Sequence, residues 1–158
     1  MDYLWTPWRY QYVVKPEASD ECVLCAAARP GDDARTFVVH RGERNYVILN
    51  RYPYTSGHMM VVPYDHVASL EDLAAETLAE MMLLARDAER HLRAAYRPDG
   101  LNIGMNLGRS AGAGIAAHVH LHVLPRWIGD TNFMTVTGET RVVPEDLETS
   151  WRKLREVW

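Results

Sequence analysis

The sequence predicts an α+β domain: a five-stranded antiparallel sheet with one long helix and one or more short ones. Three observations predict it. Short segments rich in Val, Ile and aromatic residues follow one another with hairpin-length connections. One stretch, Leu78, Met81, Met82, Ala85, Ala88 and Leu92, repeats apolar residues at helical spacing. The resulting order β-β-β-α-β-β favours hairpins over parallel crossovers.

Residues 1–20 are aromatic and polar and read as an N-terminal arm lying on the domain. Residues 35–40 and 45–50 read as two strands, with Arg41-Gly-Glu-Arg44 as the hairpin turn. Arg51 to Gly57 is a loop, and His58-Met-Met-Val-Val62 is a third strand stopped by Pro63. Ser69, with Asp72 three residues on, reads as the cap of a helix running to Tyr96. Met81 and Met82 read as core filling. Arg97-Pro-Asp-Gly100 breaks that helix, Leu101–Leu107 is the fourth strand, and Ala116–Leu124, ended by Pro125, is the fifth. Residues 134–158 form a C-terminal tail whose Trp151, Leu154 and Trp158 share one side, suited to docking on the body or on a partner subunit.

At 158 residues the chain reads as one domain, 1–158. Its net charge is −4 and its Lys and Arg are scattered, so no basic stripe suggests a polynucleotide partner. No apolar run reaches the length of a membrane span, and the first residues lack a basic-then-apolar leader; a cytoplasmic location is expected.

The most informative segment is His118-Val-His-Leu-His122. In extended chain the three imidazoles share one face while Val119, Leu121 and Val123 share the other. The apolar face suits a core. The imidazole face needs another use, because burying unpartnered imidazoles is costly. A strand rises about 3.3 Å per residue, so the outer two α-carbons lie roughly 13 Å apart, too far for one ion to take all three rings. The central imidazole reads as a nucleophile near neutral pH. Three unrelated histidines on a half-buried strand are the plain alternative. Just upstream, Asn106-Leu-Gly-Arg-Ser-Ala-Gly-Ala-Gly114 offers a glycine-rich loop whose N–H groups could cradle phosphate oxygens. A phosphate held beside a nucleophilic imidazole implies phosphoryl or nucleotidyl transfer. Cys22 and Cys25 form a C-x-x-C knuckle. Zinc binding, a redox pair or two bystander thiols all remain open for it.

His118 to Arg126 resembles the signature of the histidine triad (HIT) family of nucleotide hydrolases and transferases. Asn50, the Ser-Gly-His58-Met-Met-Val-Val-Pro segment, the long helix and the Asn106 loop extend the likeness over most of the chain. The opening Leu-Trp-Thr-Pro-Trp-Arg-Tyr, the knuckle and Trp127–Phe133 resemble a bacterial branch that includes diadenosine tetraphosphate phosphorylases and HIT hydrolases. The resemblance implies a HIT-like fold and, as catalytic residues, His120 (nucleophile), His122 (phosphate and leaving group), His58 and His118. It implies substrate binding by Asn50 at the ribose, Asn106 near the α-phosphate, and Gly108, Gly112 and Gly114 in the loop. Phe37, Val39 and Ile48 would wall the base pocket. Cys22, Cys25, His66 and His118 match the zinc ligands of family members that carry the knuckle, so a structural zinc is implied. Mg²⁺ accompanying the polyphosphate and a homodimer joining two sheets edge to edge are implied as well. The Gly-Gln-Ser or Gly-Gln-Thr of many family hydrolases is replaced here by Gly112-Ala-Gly-Ile115, which leaves water and inorganic phosphate both open as acceptor. The activity implied is cleavage of diadenosine tetraphosphate through a nucleotidyl-histidine. The rivals are a phosphoramidase, a nucleotide-binding regulatory protein with little turnover, and a metal-dependent hydrolase using two triad histidines as ligands. His40, read as a turn residue, and His91, on the helix, receive no role.

Overall fold

Alternation along the strands, interrupted in β1 by a register shift between Val38 and His40, decides the architecture. The computed structural model describes residues 21–131 and 143–158. The arm at 1–20, the first part of the tail and the end of the Trp127–Phe133 segment lie outside them. The elements are α1 (Val23–Ala28), α2 (Asp33–Thr36), β1 (Val38–Arg41), β2 (Asn45–Leu49), β3 (Met59–Pro63), α3 (Ala75–Tyr96), β4 (Gly100–Met105), β5 (Leu121–Arg126) and α4 (Leu147–Val157). The five strands form one antiparallel sheet in the order β1-β2-β3-β5-β4, the α+β sheet expected from the sequence.

Each strand sends alternate residues to two different layers. Val39, Val47, Leu49, Met59, Val61, Leu121 and Val123 pack against Met81, Leu84, Ala85, Ala88 and Leu92 of α3 and Leu154 of α4. Val38, Tyr46, Ile48, Met60 and Val62 face the other way, under Leu24 and Ala27 of α1. The central strands β2 and β3 are therefore buried along their whole length. His122 pairs with Met60 in the ladder and belongs to the α1 side.

Several boundaries differ from expectation for local reasons. Asp32 accepts from the N–H groups of Ala34 and Arg35, so residues 33–36 form a capped helical turn. β1 therefore starts at Val38, and His40 lies in that strand rather than in a turn. Ser69 heads only a 3-10 turn, Leu70–Asp72, without a side-chain cap; α3 begins at Ala75. Met81 is buried but Met82 is 58% exposed, because consecutive helix residues point about 100° apart. β4 ends at Met105 rather than at Leu107. β5 runs from Leu121 through Pro125 to Arg126, so His118–His120 precede the ladder. There Val119 N–H bonds instead to Val67 O at 2.7 Å.

The two sheet edges are treated differently. At β1, Trp151 Nε1 donates to Val38 O at 2.8 Å and Arg155 Nη1 to Val39 O at 2.7 Å, so α4 covers that edge. The tail helix docks on the body, with Trp158 stacked on His40 and tilted against His91. Among the described residues β4 has only β5 as a neighbour, and Ile103 on it is 45% exposed. No helix among the described residues is long and apolar enough to cross a membrane.

The β1–β2 turn is held by a single carboxylate. Glu80 of α3 accepts from Glu43 N at 2.7 Å, Arg44 N at 2.8 Å and Asn45 Nδ2 at 2.7 Å. Burial opposes the Glu80 charge, but these hydrogen bonds outweigh it and hold the carboxyl below its ordinary value. Glu80→Ala should lower stability by about 1–3 kcal/mol, read as a drop in the denaturant midpoint. It should also remove a component of stability that the wild type loses as pH falls through the depressed carboxyl value.

Candidate functional site

Three backbone features aim the imidazoles. Gly57 has φ +77°, and a Cβ there would lie 2.9 Å from Tyr96 Cε2, so only glycine lets the loop turn tightly into β3 and deliver His58. Antiparallel pairing of β3 with β5 then brings His58 beside His122. The bend before β5 places His118 against Pro63, whose carbonyl accepts from His118 Nε2 at 2.9 Å.

The hydrogen bonds fix the ring tautomers. His118 Nε2 faces a carbonyl, so it carries the proton and leaves Nδ1 as a lone pair. His120 Nδ1 donates to His118 O at 2.8 Å, which leaves His120 Nε2 as a lone pair. Tyr54 N–H donates to His58 Nδ1 at 3.2 Å, and Asn50 Nδ2 lies 3.4 Å from the same atom. His58 Nε2 then donates to His122 Nδ1 at 2.9 Å, so His122 Nε2 carries a proton. The result is a lone pair on His120 and an N–H on His122, with ring centroids 4.8 Å apart. Burial, with His120 beside it, pushes the His122 pKa down to about 4, so the ring is neutral at ordinary pH.

The lone pair on His118 Nδ1 points into a second constellation. It lies 3.5 Å from both Cys22 Sγ and Cys25 Sγ, and His66 Nδ1 lies 3.1 Å from Cys25 Sγ. All four ligand atoms fall within 4.8 Å of one another. For zinc at about 2.3 Å from sulfur and 2.0–2.1 Å from nitrogen, tetrahedral N···S edges come to roughly 3.5 Å. The donor set and its spacing therefore fit one tetrahedral ion. Burial and the neighbouring Cys22 push the Cys25 thiol up, and a cation among them would relieve that. The knuckle is held by protein groups too. Tyr46 Oη donates to Leu24 O at 2.7 Å, and Arg41 donates to the carbonyls of Ala27, Ala28 and Arg29 while pairing with Asp33.

The structure brings together His58, His120 and His122 as one cluster, and Cys22, Cys25, His66 and His118 as another. Asn50 joins the first through His58, while its Oδ1 accepts from Tyr52 N at 2.9 Å. Asn106 borders an open groove of about 220 Å³ with His122, Tyr54, Asn102, Gly104 and Leu124. Gly108 and Gly112 are exposed turn positions with φ of 79° and 90°, and Gly114 is exposed. Two N–H groups of that loop, those of Gly112 and Ala113, are used inside it. Ile48 lies on the imidazole side of the sheet, whereas Phe37 and Val39 pack in the α3-side core.

Sequence reasoning missed Tyr54, Arg41 and Tyr46. Tyr54 precedes His58 by one tight turn, which the Gly57 position signals. Arg41 and Tyr46 act through distant carbonyls, for which the sequence carries no sign.

Residues 32–127 match the family model described as HIT domain. The chain belongs to the histidine triad family. A relative from Mycobacterium tuberculosis (strain ATCC 25618 / H37Rv), named AP-4-A phosphorylase, is 43% identical over 98% of this chain and 83% of its own length. A Zn-bound histidine triad family protein from Mycobacterium smegmatis is 34% identical, with a TM-score of 0.70 over 87% of this chain and 92% of that one. A hypothetical histidine triad nucleotide-binding protein from Sulfolobus tokodaii is 28% identical, with a TM-score of 0.68 over 86% and 91%.

The His122 environment makes a pH prediction. An unfolded imidazole takes up its proton near pH 6.5, the native His122 only near 4. Between these values the unfolded state holds more protons, so stability is full above about pH 6.5 and declines as pH falls toward 4. Nitrogen-15 shifts should keep His122 neutral at pH 5. Titration near 6.5 would contradict the buried pair.

Proposed function

We propose that this chain cleaves dinucleoside polyphosphates, diadenosine tetraphosphate foremost, through a nucleotidyl group carried on His120. The observation that carries this reading is the ordered proton arrangement: an Nε2 lone pair on His120 beside an Nε2–H on His122. His120 Nε2 attacks the α-phosphorus and forms an N–P bond, while the P–O bond to the leaving polyphosphate breaks. His118 O, which accepts from Nδ1, stabilises the positive charge that develops on the ring. His122 Nε2–H donates a hydrogen bond to the departing oxygen and stabilises the negative charge it takes up, so the polyphosphate leaves as an anion. An acceptor then attacks phosphorus and releases His120. The 43% identical relative, a phosphorylase by name, supports inorganic phosphate as that acceptor and a dinucleoside tetraphosphate as substrate.

On this reading Asn50 and Tyr54 N–H act by ordering His58. Asn106 contacts phosphate from the rim of the groove. Gly108, Gly112 and Gly114 shape the approach, and Ile48, beneath α1, backs the wall beside the attacked nucleotide. The polyphosphate would carry in Mg²⁺ on its own oxygen ligands. Cys22, Cys25, His66 and His118 would hold a zinc ion that ties α1 to the start of the triad, a structural contribution. The M. smegmatis relative, Zn-bound by description, supports that. The open β4 edge, with Ile103 exposed, supports a homodimer joined through that strand.

His120→Ala and His120→Asn should lower turnover of diadenosine tetraphosphate on the order of a thousandfold or more while leaving the circular dichroism spectrum unchanged. ADP should form only when inorganic phosphate is present. Turnover preserved in both variants would sink the assignment, and AMP formed equally with and without phosphate would assign water as acceptor.

The metal reading is checked separately. Purified protein should carry about one zinc per chain by elemental analysis. Cys22→Ser should reduce retention against a chelator at least tenfold and lower the melting temperature. Wild-type protein that holds no zinc after growth in zinc would refute it.

A further inference from the structure

The nucleotidyl-His120 reading accounts for one half of a dinucleoside polyphosphate and leaves the other half without a seat. The surroundings of the imidazoles leave one direction open to it. Along β5 and the segment that leads into it, His118, His120, His122 and Leu124 follow in order. The cysteine–histidine cluster closes the His118 end. Toward β2 and β3, Ile48 and Met60 are only 5% and 6% exposed beneath α1. Among the described residues, the open space beside the cluster lies past His122, toward β4, in the groove of about 220 Å³.

One wall of that groove is the Tyr54 ring. Its centroid lies 4.7 Å from that of His58 and 6.0 Å from that of His122, and the residue is 39% exposed. The rest of the lining, which also includes Ile103 and Met105, supplies an aliphatic surface at Leu124, bare backbone at Gly104 and the side-chain amides of Asn102 and Asn106. A cation does not suit this lining, which offers no carboxylate. A flat heterocycle does: a π face to stack on, an apolar floor and amides for ring nitrogens. In an in-line displacement the leaving group departs opposite the attacking His120 Nε2, on the side His122 serves. The departing nucleotide must therefore run past His122 and into this groove.

We infer that Tyr54 is a specificity-determining residue that stacks on the base of the leaving nucleotide, the far half of the dinucleoside substrate. The main-chain bond from Tyr54 to His58 survives any replacement of the side chain. The ring can thus be tested apart from the ordering of the imidazoles.

The experiment compares two substrates with the same attacked phosphorus and the same four phosphates: diadenosine tetraphosphate, and adenosine 5′-tetraphosphate, which lacks the second nucleoside. Wild-type protein should prefer the dinucleoside by kcat/KM. Tyr54→Ala should reduce that preference about 5- to 150-fold, chiefly through KM, the range found for removing one base-stacking ring. Tyr54→Phe should retain the preference, since it keeps the ring, and this also controls for folding. Equal loss on both substrates in Tyr54→Ala would mean that the ring only packs the histidines, and would overturn the inference. So would a wild type with no preference between them. Failure of the nucleotidyl-His120 reading shows elsewhere, as turnover that survives His120→Asn.

Discussion

The hydrogen bond from His120 Nδ1 to His118 O is the constraint on which the chemistry of this chain rests. It is a main-chain acceptor, so it does not ionise and does not swing away. It settles which nitrogen of the central imidazole is free. Its position in turn depends on His118, whose ring is pinned by Pro63 O and whose other nitrogen faces two sulfurs. One residue thus joins the reactive cluster to the cysteine–histidine cluster, through its main chain on one side and its side chain on the other.

That junction exists because the sheet is used on both faces. On the α3 side, valines, leucines and methionines meet a long amphipathic helix and supply the apolar burial that drives folding. On the α1 side, the same strands carry Tyr46, Ile48, Met60 and His122, and among the described residues only a short helix covers them. A two-turn helix cannot shield the whole face. Among the described residues the part left open is the groove beside β4, which His122 borders. The groove beside the buried imidazoles is therefore a result of unequal cover on the two faces.

Burying this many polar rings would be costly without partners. Here each ring is answered by another protein group: His58 by His122 and Tyr54 N–H, His118 by Pro63 O, His120 by His118 O. The satisfied network holds the side chains in one arrangement before any ligand arrives, and preorganisation of this kind is what transition-state stabilisation requires. The knuckle shows the same economy. Arg41 and Tyr46 reach from the sheet to its carbonyls, so the cysteines are presented by protein contacts as well as by any ion they hold.

Much was legible in the chain itself. Alternation of His with Val and Leu at 118–123 determined which side chains enter the core and which do not, because a strand reverses its faces at every residue. The helical recurrence from Leu78 to Leu92 determined α3, and the spacing of Cys22 and Cys25 marked a ligand pair. These are local signals, carried by residues within a few positions of each other. Other features were decided only in three dimensions. Asp32 ended the first expected strand early by capping a turn, and His118–His120 left the ladder because Val67 and Pro63 offered closer acceptors. Phe37 and Val39 went to the helix side, Ile48 to the imidazole side. Tyr54 came to lie against His58 and His122. In each case the deciding partner is a backbone group or a ring brought close by folding, and distance along the sequence says nothing about which carbonyl a donor will find.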